Sequence, residues 1–147
     1  MAYKVLDIAN KIIKIASDND AGELVSNMKL QKLLYYQQGF HLAYFSGKPL
    51  FEENIEAWMY GPVVPSIYEK YKTEGSNGLN YEGDVIILSS KREEALFNEV
   101  MRVYGEFSAI GLMNLTHSES PWKETSIGVG NEISKDKMMN FFKKKLK

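Results

Sequence analysis

Apolar side chains recur at helical spacing from the start of the chain. Val5, Leu6, Ile8, Ala9, Ile12, Ile13, Ile15 and Ala16 form a broad stripe that predicts a helix over Val5 to Ser17. The polar cluster from Ser17 through Asp18, Asn19, Asp20, Ala21 and Gly22 is expected to stop it. Asn27 is placed to cap a second helix from Met28 to about Phe45. In that helix Leu30, Leu33, Leu34, Phe40, Leu42 and Phe45, with Tyr35, Tyr36 and Tyr44, spread around nearly the whole circumference. A helix apolar on most sides is a central one, covered by neighbours on several faces. Gly47 and Pro49 then end it.

Beyond Pro49 the pattern shortens. Ile55 and Ala57 alternate with Glu56, which is compatible with a short extended segment between Leu50 and Met59. Tyr60-Gly61-Pro62-Val63-Val64-Pro65 predicts a rigid bend, because proline locks φ and lacks an N–H. Pro65 suits the first turn of a third helix reaching about Tyr71. Thr73 to Gly83 reads as an exposed loop, and Val85 to Leu88 as a strand or a buried extended run. Ser90 with Glu93 is a capping box that opens a fourth helix, Lys91 to about Tyr104. Ser108 caps a fifth, Ala109 to Leu115. Thr116 to Trp122 reads as a polar turn closed by Pro121 and Trp122, and Gly128 and Gly130 mark a loop. Ser134 caps a last helix through Leu146, with Lys143, Lys144, Lys145 and Lys147 in its final turns, where positive charge complements the helix dipole. These elements predict a mainly α, compact, single-domain helical bundle over residues 1–147, built around a central apolar helix with room for a short β element.

Composition narrows the chemistry. The 147 residues suffice for one hydrophobic core, and 44% hydrophobic with 25% charged residues is the balance of a globular chain. No run reaches the roughly 18 apolar residues of a membrane span, and the start carries no signal-peptide pattern. The chain has no cysteine, which excludes disulfides, thiolate catalysis and cysteine-bound zinc and suits a reducing cytoplasm. A net charge of −1 and the lack of a basic recognition helix do not favour DNA binding.

No HExxH, GxSxG or phosphate-cradling loop occurs, and there are only two histidines, His41 and His117. His117 and Glu119 are close enough in sequence to suggest an acid–base pair in a small hydrolase. The plainer reading has Thr116, His117 and Glu119 bonding a turn's backbone while Pro121 and Trp122 plug it into the core. His41, with Gln37 and Gln38, is read as a boundary histidine bonded to its neighbours. No carboxylate cluster suggests a metal, so no catalytic residue, metal or cofactor is assigned. Eighteen aromatic residues, 12% of the chain, mostly serve the core. Tyrosines held on a rigid bend also suit a protein interface. Trp58, Tyr60, Pro62, Val63, Pro65 and Tyr68 are therefore the candidate partner-binding residues, with Trp58 read first as core and second as contact.

Three blocks carry a family resemblance. Lys29 to Tyr36 (KLQKLLYY) resembles the central helix of the Panacea-domain family, which includes SocA-like antitoxins and phage-associated GepA-like proteins. Gly47 to Phe51, then Ile55 to Pro65, resemble that family's GKPLF…IEAWxYGPVVP signature, and Leu115 to Trp122 its LTHxExPW element. The matching positions include Leu30, Lys32, Leu33, Tyr35, Tyr36, Gly61, Thr116, His117, Glu119, Pro121 and Trp122. The resemblance implies a helical, non-enzymatic, cytoplasmic antitoxin that neutralises a cognate toxin by direct contact. Family members also raise two alternatives: an adaptor delivering the toxin to a Clp-type protease, and a phage-encoded inhibitor of a host or defence protein.

Overall fold

The computed structural model describes residues 2–19, 25–75 and 77–146. Helix α1 (Val5–Asn19) runs two residues past the predicted stop, and of the expected turn cluster Asp20, Ala21 and Gly22 lie outside the described residues. Its stripe of Ile8, Ala9, Ile12 and Ile13 is fully buried, the outcome that 3.6-residue spacing of branched side chains favours.

Helix α2 (Asn27–Tyr44) is the hub. Every residue from Leu30 through Ala43 is buried, and the helix contacts α1 and most of the elements that follow it in the chain. Ser26, rather than Asn27, is its cap: the Ser26 hydroxyl accepts the Lys29 N–H at 3.3 Å. Asn27 is engaged elsewhere, accepting from Gln31 Nε2 at 2.9 Å and donating to the Tyr68 carbonyl at 3.2 Å. Lys32 apart, the buried polar residues of α2 each find a partner, which removes the penalty of about 1–3 kcal/mol for an unmet buried group. Gln37 donates to the Phe97 carbonyl at 3.0 Å. Gln38 donates to the Phe51 carbonyl at 2.7 Å and accepts the Leu50 N–H at 2.7 Å. His41 lies within hydrogen-bond distance of both the Lys48 carbonyl (2.7 Å) and Glu93 (2.8 Å). The helix ends where Ser46 and Gly47 take φ of 56° and 88° and the Gly47 N–H returns to the Leu42 carbonyl at 2.7 Å.

The predicted proline bend is a strand. β1 (Ile55–Trp58) pairs antiparallel with β2 (Gly61–Val63), Trp58 opposite Gly61, so the turn is Met59–Tyr60. Pro62 is tolerated because β2 is an edge of the three-stranded order β2-β1-β3, where a missing N–H costs no ladder bond. β3 (Glu132–Ile133), which no alternation announces, covers the other edge of β1. Helix α3 (Pro65–Tyr71) begins on Pro65 as expected and continues into a 3₁₀ turn, Lys72–Glu74. In the following loop Leu79 is buried and its N–H bonds the Val25 carbonyl at 2.8 Å, while Ser76 lies outside the described residues. The run Val85 to Leu88 forms no strand; Leu88 is buried and Ile87 is 80% exposed.

Helices α4 (Lys91–Tyr104), α5 (Ala109–His117) and α7 (Lys135–Lys143) carry the predicted serine caps. Ser90, Ser108 and Ser134 accept the N–H of Glu93, Gly111 and Lys137. Helix α5 runs two residues longer than expected, and α6 (Ser120–Lys123) follows at once, so the predicted polar turn shrinks to Ser118 and Glu119. Pro121 occupies the first turn of α6, where its missing N–H is no loss. Helix α7 stops at Lys143, short of Leu146, and Lys147 lies outside the described residues. The fold is thus mainly α with a small sheet, and α7 lies along α2. Among the described residues no helix is long and apolar enough to cross a membrane.

Candidate functional site

The three sequence blocks meet at one point. Gly61 takes φ +119°, and a Cβ there would lie 3.0 Å from Lys32 Cε and 3.1 Å from Thr116 Oγ1. A side chain at position 61 would therefore be strained in backbone and in space alike. The hairpin glycine thereby lets α2 and the end of α5 close against β2.

Behind this contact Glu119 ties α5 and α6 to α2. Its two oxygens accept the hydroxyls of Tyr35 and Tyr36, each at 3.0 Å, inside the core. Burial pushes the carboxyl up to about 7, against the two tyrosine hydrogen bonds and the charge of Lys145, which hold it down. The same burial, with the neighbouring carboxylate, raises both tyrosine hydroxyls. Tyr36 also stacks on Tyr104 at 4.1 Å. The expected bonding of Glu119 to a turn's backbone is replaced by this tyrosine pair. Thr116 does bond backbone, donating to the Met113 carbonyl at 2.9 Å.

His117 goes elsewhere. Its ring stacks on Trp122, with centroids 3.9 Å apart and planes 14° from parallel. The Trp122 indole N–H in turn donates to the Trp58 carbonyl at 2.8 Å and pins α6 to β1. Burial and the nearby Lys32 charge lower the His117 pKa, opposed by a backbone hydrogen bond with Met59, and its Nε2 is buried with no partner. With Glu119 committed to Tyr35 and Tyr36, the two residues of the imagined acid–base pair serve different partners.

On the outer side of this junction lies an open groove of about 730 Å³. The start of α2 forms one wall, through Met28, Gln31 and Lys32; the hairpin and α3 form the other, through Trp58, Val63 and Tyr68; Ala109 and Ile110 of α5 close one end. Gln31 braces the walls, accepting the Val64 N–H at 2.9 Å. Trp58 is half-buried, packed edge-on against Tyr68 at 5.1 Å, with its indole N–H on Glu56 at 2.9 Å. The surface beside the groove is apolar and exposed: Met59 is 63%, Tyr60 59% and Ile110 61% accessible. Monomeric proteins seldom leave such residues together without use.

Of the six candidate contact residues, the fold brings Trp58, Tyr60, Val63 and Tyr68 to the groove. Pro62 is buried in β2, and Pro65 starts α3; neither lines the groove. Met59 and Ile110 escaped the sequence reading, since a single apolar residue on a helix or turn gives no sign of which side meets solvent. Among the described residues no group of histidine and carboxylate side chains could hold a metal ion.

Comparison with known proteins points one way. The sequence model of the family described as "Antitoxin SocA-like, Panacea domain" matches residues 30–123. The curated protein "Antitoxin SocA" of Caulobacter vibrioides (strain NA1000 / CB15N) is similar, 32% identical over 141 aligned positions that span 86% of this chain and 72% of that protein. No solved structure matches.

Proposed function

Because this chain belongs to the SocA-like Panacea-domain antitoxin family, we propose that it neutralises a cognate toxin by direct protein–protein contact, without chemistry of its own, through the groove between α2, the hairpin and α3. The observation that carries this reading is the groove's apolar lining beside exposed Met59, Tyr60 and Ile110. Aromatic and methionine side chains around a preformed concavity suit a buried interface core, and a surface braced by the hairpin and Gln31 loses little entropy on docking.

The test is co-expression with the product of an adjacent gene. A stable complex and restored growth are expected, and Tyr60→Asp, at an exposed position, should fold normally yet lose both. Absence of complex and of rescue in the wild type would remove the antitoxin reading. The fate of the partner separates two mechanisms: an intact partner held in the complex supports sequestration. Faster degradation by purified Clp protease when this protein is added supports delivery instead.

A further inference from the structure

Lys32 is 1% exposed and lines the groove, and no hydrogen bond or ion pair engages it among the described residues. Its chain lies against Gly61, whose missing Cβ leaves the room it occupies. Of the other basic residues around it, Lys72 pairs with Glu69 at 3.1 Å and Lys29 donates to the Gly105 carbonyl at 2.6 Å, while His117, whose pKa the Lys32 charge lowers, supplies no negative charge. No aspartate or glutamate lines the groove among the described residues. Glu119, the one buried carboxylate among the described residues, is bonded to Tyr35 and Tyr36.

An ammonium with little access to water and no counter-charge is costly, and the cost falls on the free protein. Burial alone lowers the Lys32 pKa, to about 8, with no carboxylate opposing the shift. A partner that supplies the missing negative charge removes that cost on binding, and one that does not must keep it. The apolar walls add the second requirement, hydrophobic side chains on either side of the charge.

We propose that the groove takes a segment of the partner protein that inserts one aspartate or glutamate side chain, flanked by apolar residues, to pair with Lys32. This rests on the reading of the groove as the toxin-contact surface and names the chemistry it selects. A side-chain carboxylate fits better than a chain end. Lys32 lies deep, and a carboxylate on a side-chain stalk reaches it while the partner's backbone stays at the wet rim. A C-terminal carboxylate would drag backbone N–H and C=O groups among Trp58, Val63 and Tyr68, which offer them few partners.

The probes are three pentapeptides titrated into the full-length protein: acetyl-Leu-Phe-Glu-Leu-Phe-amide, the same peptide with Gln for Glu, and the Gln peptide with a free C-terminal carboxylate. The Glu peptide should bind the wild type at least about tenfold tighter than the blocked Gln peptide, as a charge-assisted bond in a dry site implies. In Lys32→Met the two should bind alike, while its melting temperature stays the same or rises because an unpaired charge has gone. Should that variant fail to fold, the Lys32 Nζ resonance of the ¹⁵N-labelled wild type must shift with the Glu peptide and not with the blocked Gln peptide. Equal affinities on the wild type, a Glu preference that survives in Lys32→Met, or no binding up to millimolar peptide would overturn the proposal. Tightest binding by the free-carboxylate peptide would assign the site to a chain end instead. These probes need no toxin. A toxin complex lost in Tyr60→Asp but indifferent to carboxylates would sink this inference alone; carboxylate selectivity without any toxin complex would sink the antitoxin reading alone.

Discussion

Glu119 carries a carboxyl group into the interior and holds it between two tyrosine hydroxyls. Its pKa rises from an ordinary 4.5 to about 7, chiefly through burial. The unfolded chain releases that proton near the ordinary value. Between the two values the folded protein therefore holds more proton than the unfolded one, and stability falls as pH rises through the window. The shift amounts to about 3 kcal/mol at full ionisation. Urea midpoints of the wild type are expected to decline from about pH 5 to about pH 7.5, and Glu119→Gln, which keeps the shape but cannot titrate, should lose that decline and keep only the opposite, rising contribution of His117, whose pKa is lowered by burial. An equal decline in the variant would place the pH dependence in other groups. Lys32 contributes with the opposite sign and in a separate window. Its folded pKa of about 8 lies below the ordinary 10.5, so stability rises with pH between those values.

At the scale of elements, the contact between α2 and α7 turns on one glycine. A Cβ at Gly39 would overlap the Phe142 ring, which is fully buried and also packs edge-on against Tyr35 at 5.4 Å and Tyr36 at 5.8 Å. Glycine inside a helix costs about 1 kcal/mol relative to alanine, so propensity alone predicts that Gly39→Ala stabilises. The steric argument predicts the reverse, a loss of about 1–3 kcal/mol from forcing the helices apart. Thermal melts decide between them: the melting temperature of Gly39→Ala should fall, and Phe142→Leu combined with it should recover part of the loss. The hairpin shows the same dependence on neighbours. Pro62 reads as a bend in isolation, yet it pairs with Ala57 as a strand because its N–H side faces no partner strand.

For the whole molecule, the arrangement around α2 sets how the protein opens. A helix buried on all sides and touching so many other elements cannot lose its hydrogen bonds without losing the fold. In native-state hydrogen exchange, amides from Leu33 to His41 should exchange only through global unfolding, with free energies matching denaturant unfolding, while those of α6 and the loop at Gly128 to Gly130 open locally. Fast exchange within α2 would contradict its place as the hub. That place was legible early, since apolar side chains on every face of Leu30 to Phe45 leave no side for water. The groove was only half legible. Trp58, Tyr60, Val63 and Tyr68 stood out as aromatic and apolar residues around a proline-rich stretch, but Ile110 arrives from a helix far along the chain.

What the chain determined by itself lies within a few residues of its cause. Ser90, Ser108 and Ser134 each cap a helix by bonding an N–H three residues on, the apolar stripe of α1 repeats every three or four positions, and the apolar residues of α2 spread around its circumference. The three motif blocks likewise announced the family from contiguous residues. Only the tertiary structure decided that Glu119 meets Tyr35 across 84 positions, that Gly61 leaves room for Lys32, and that Lys32 is left without a counter-charge beside an apolar groove. Burial and partner choice depend on which distant segments the fold brings together, and side-chain periodicity along one segment carries no information about that meeting.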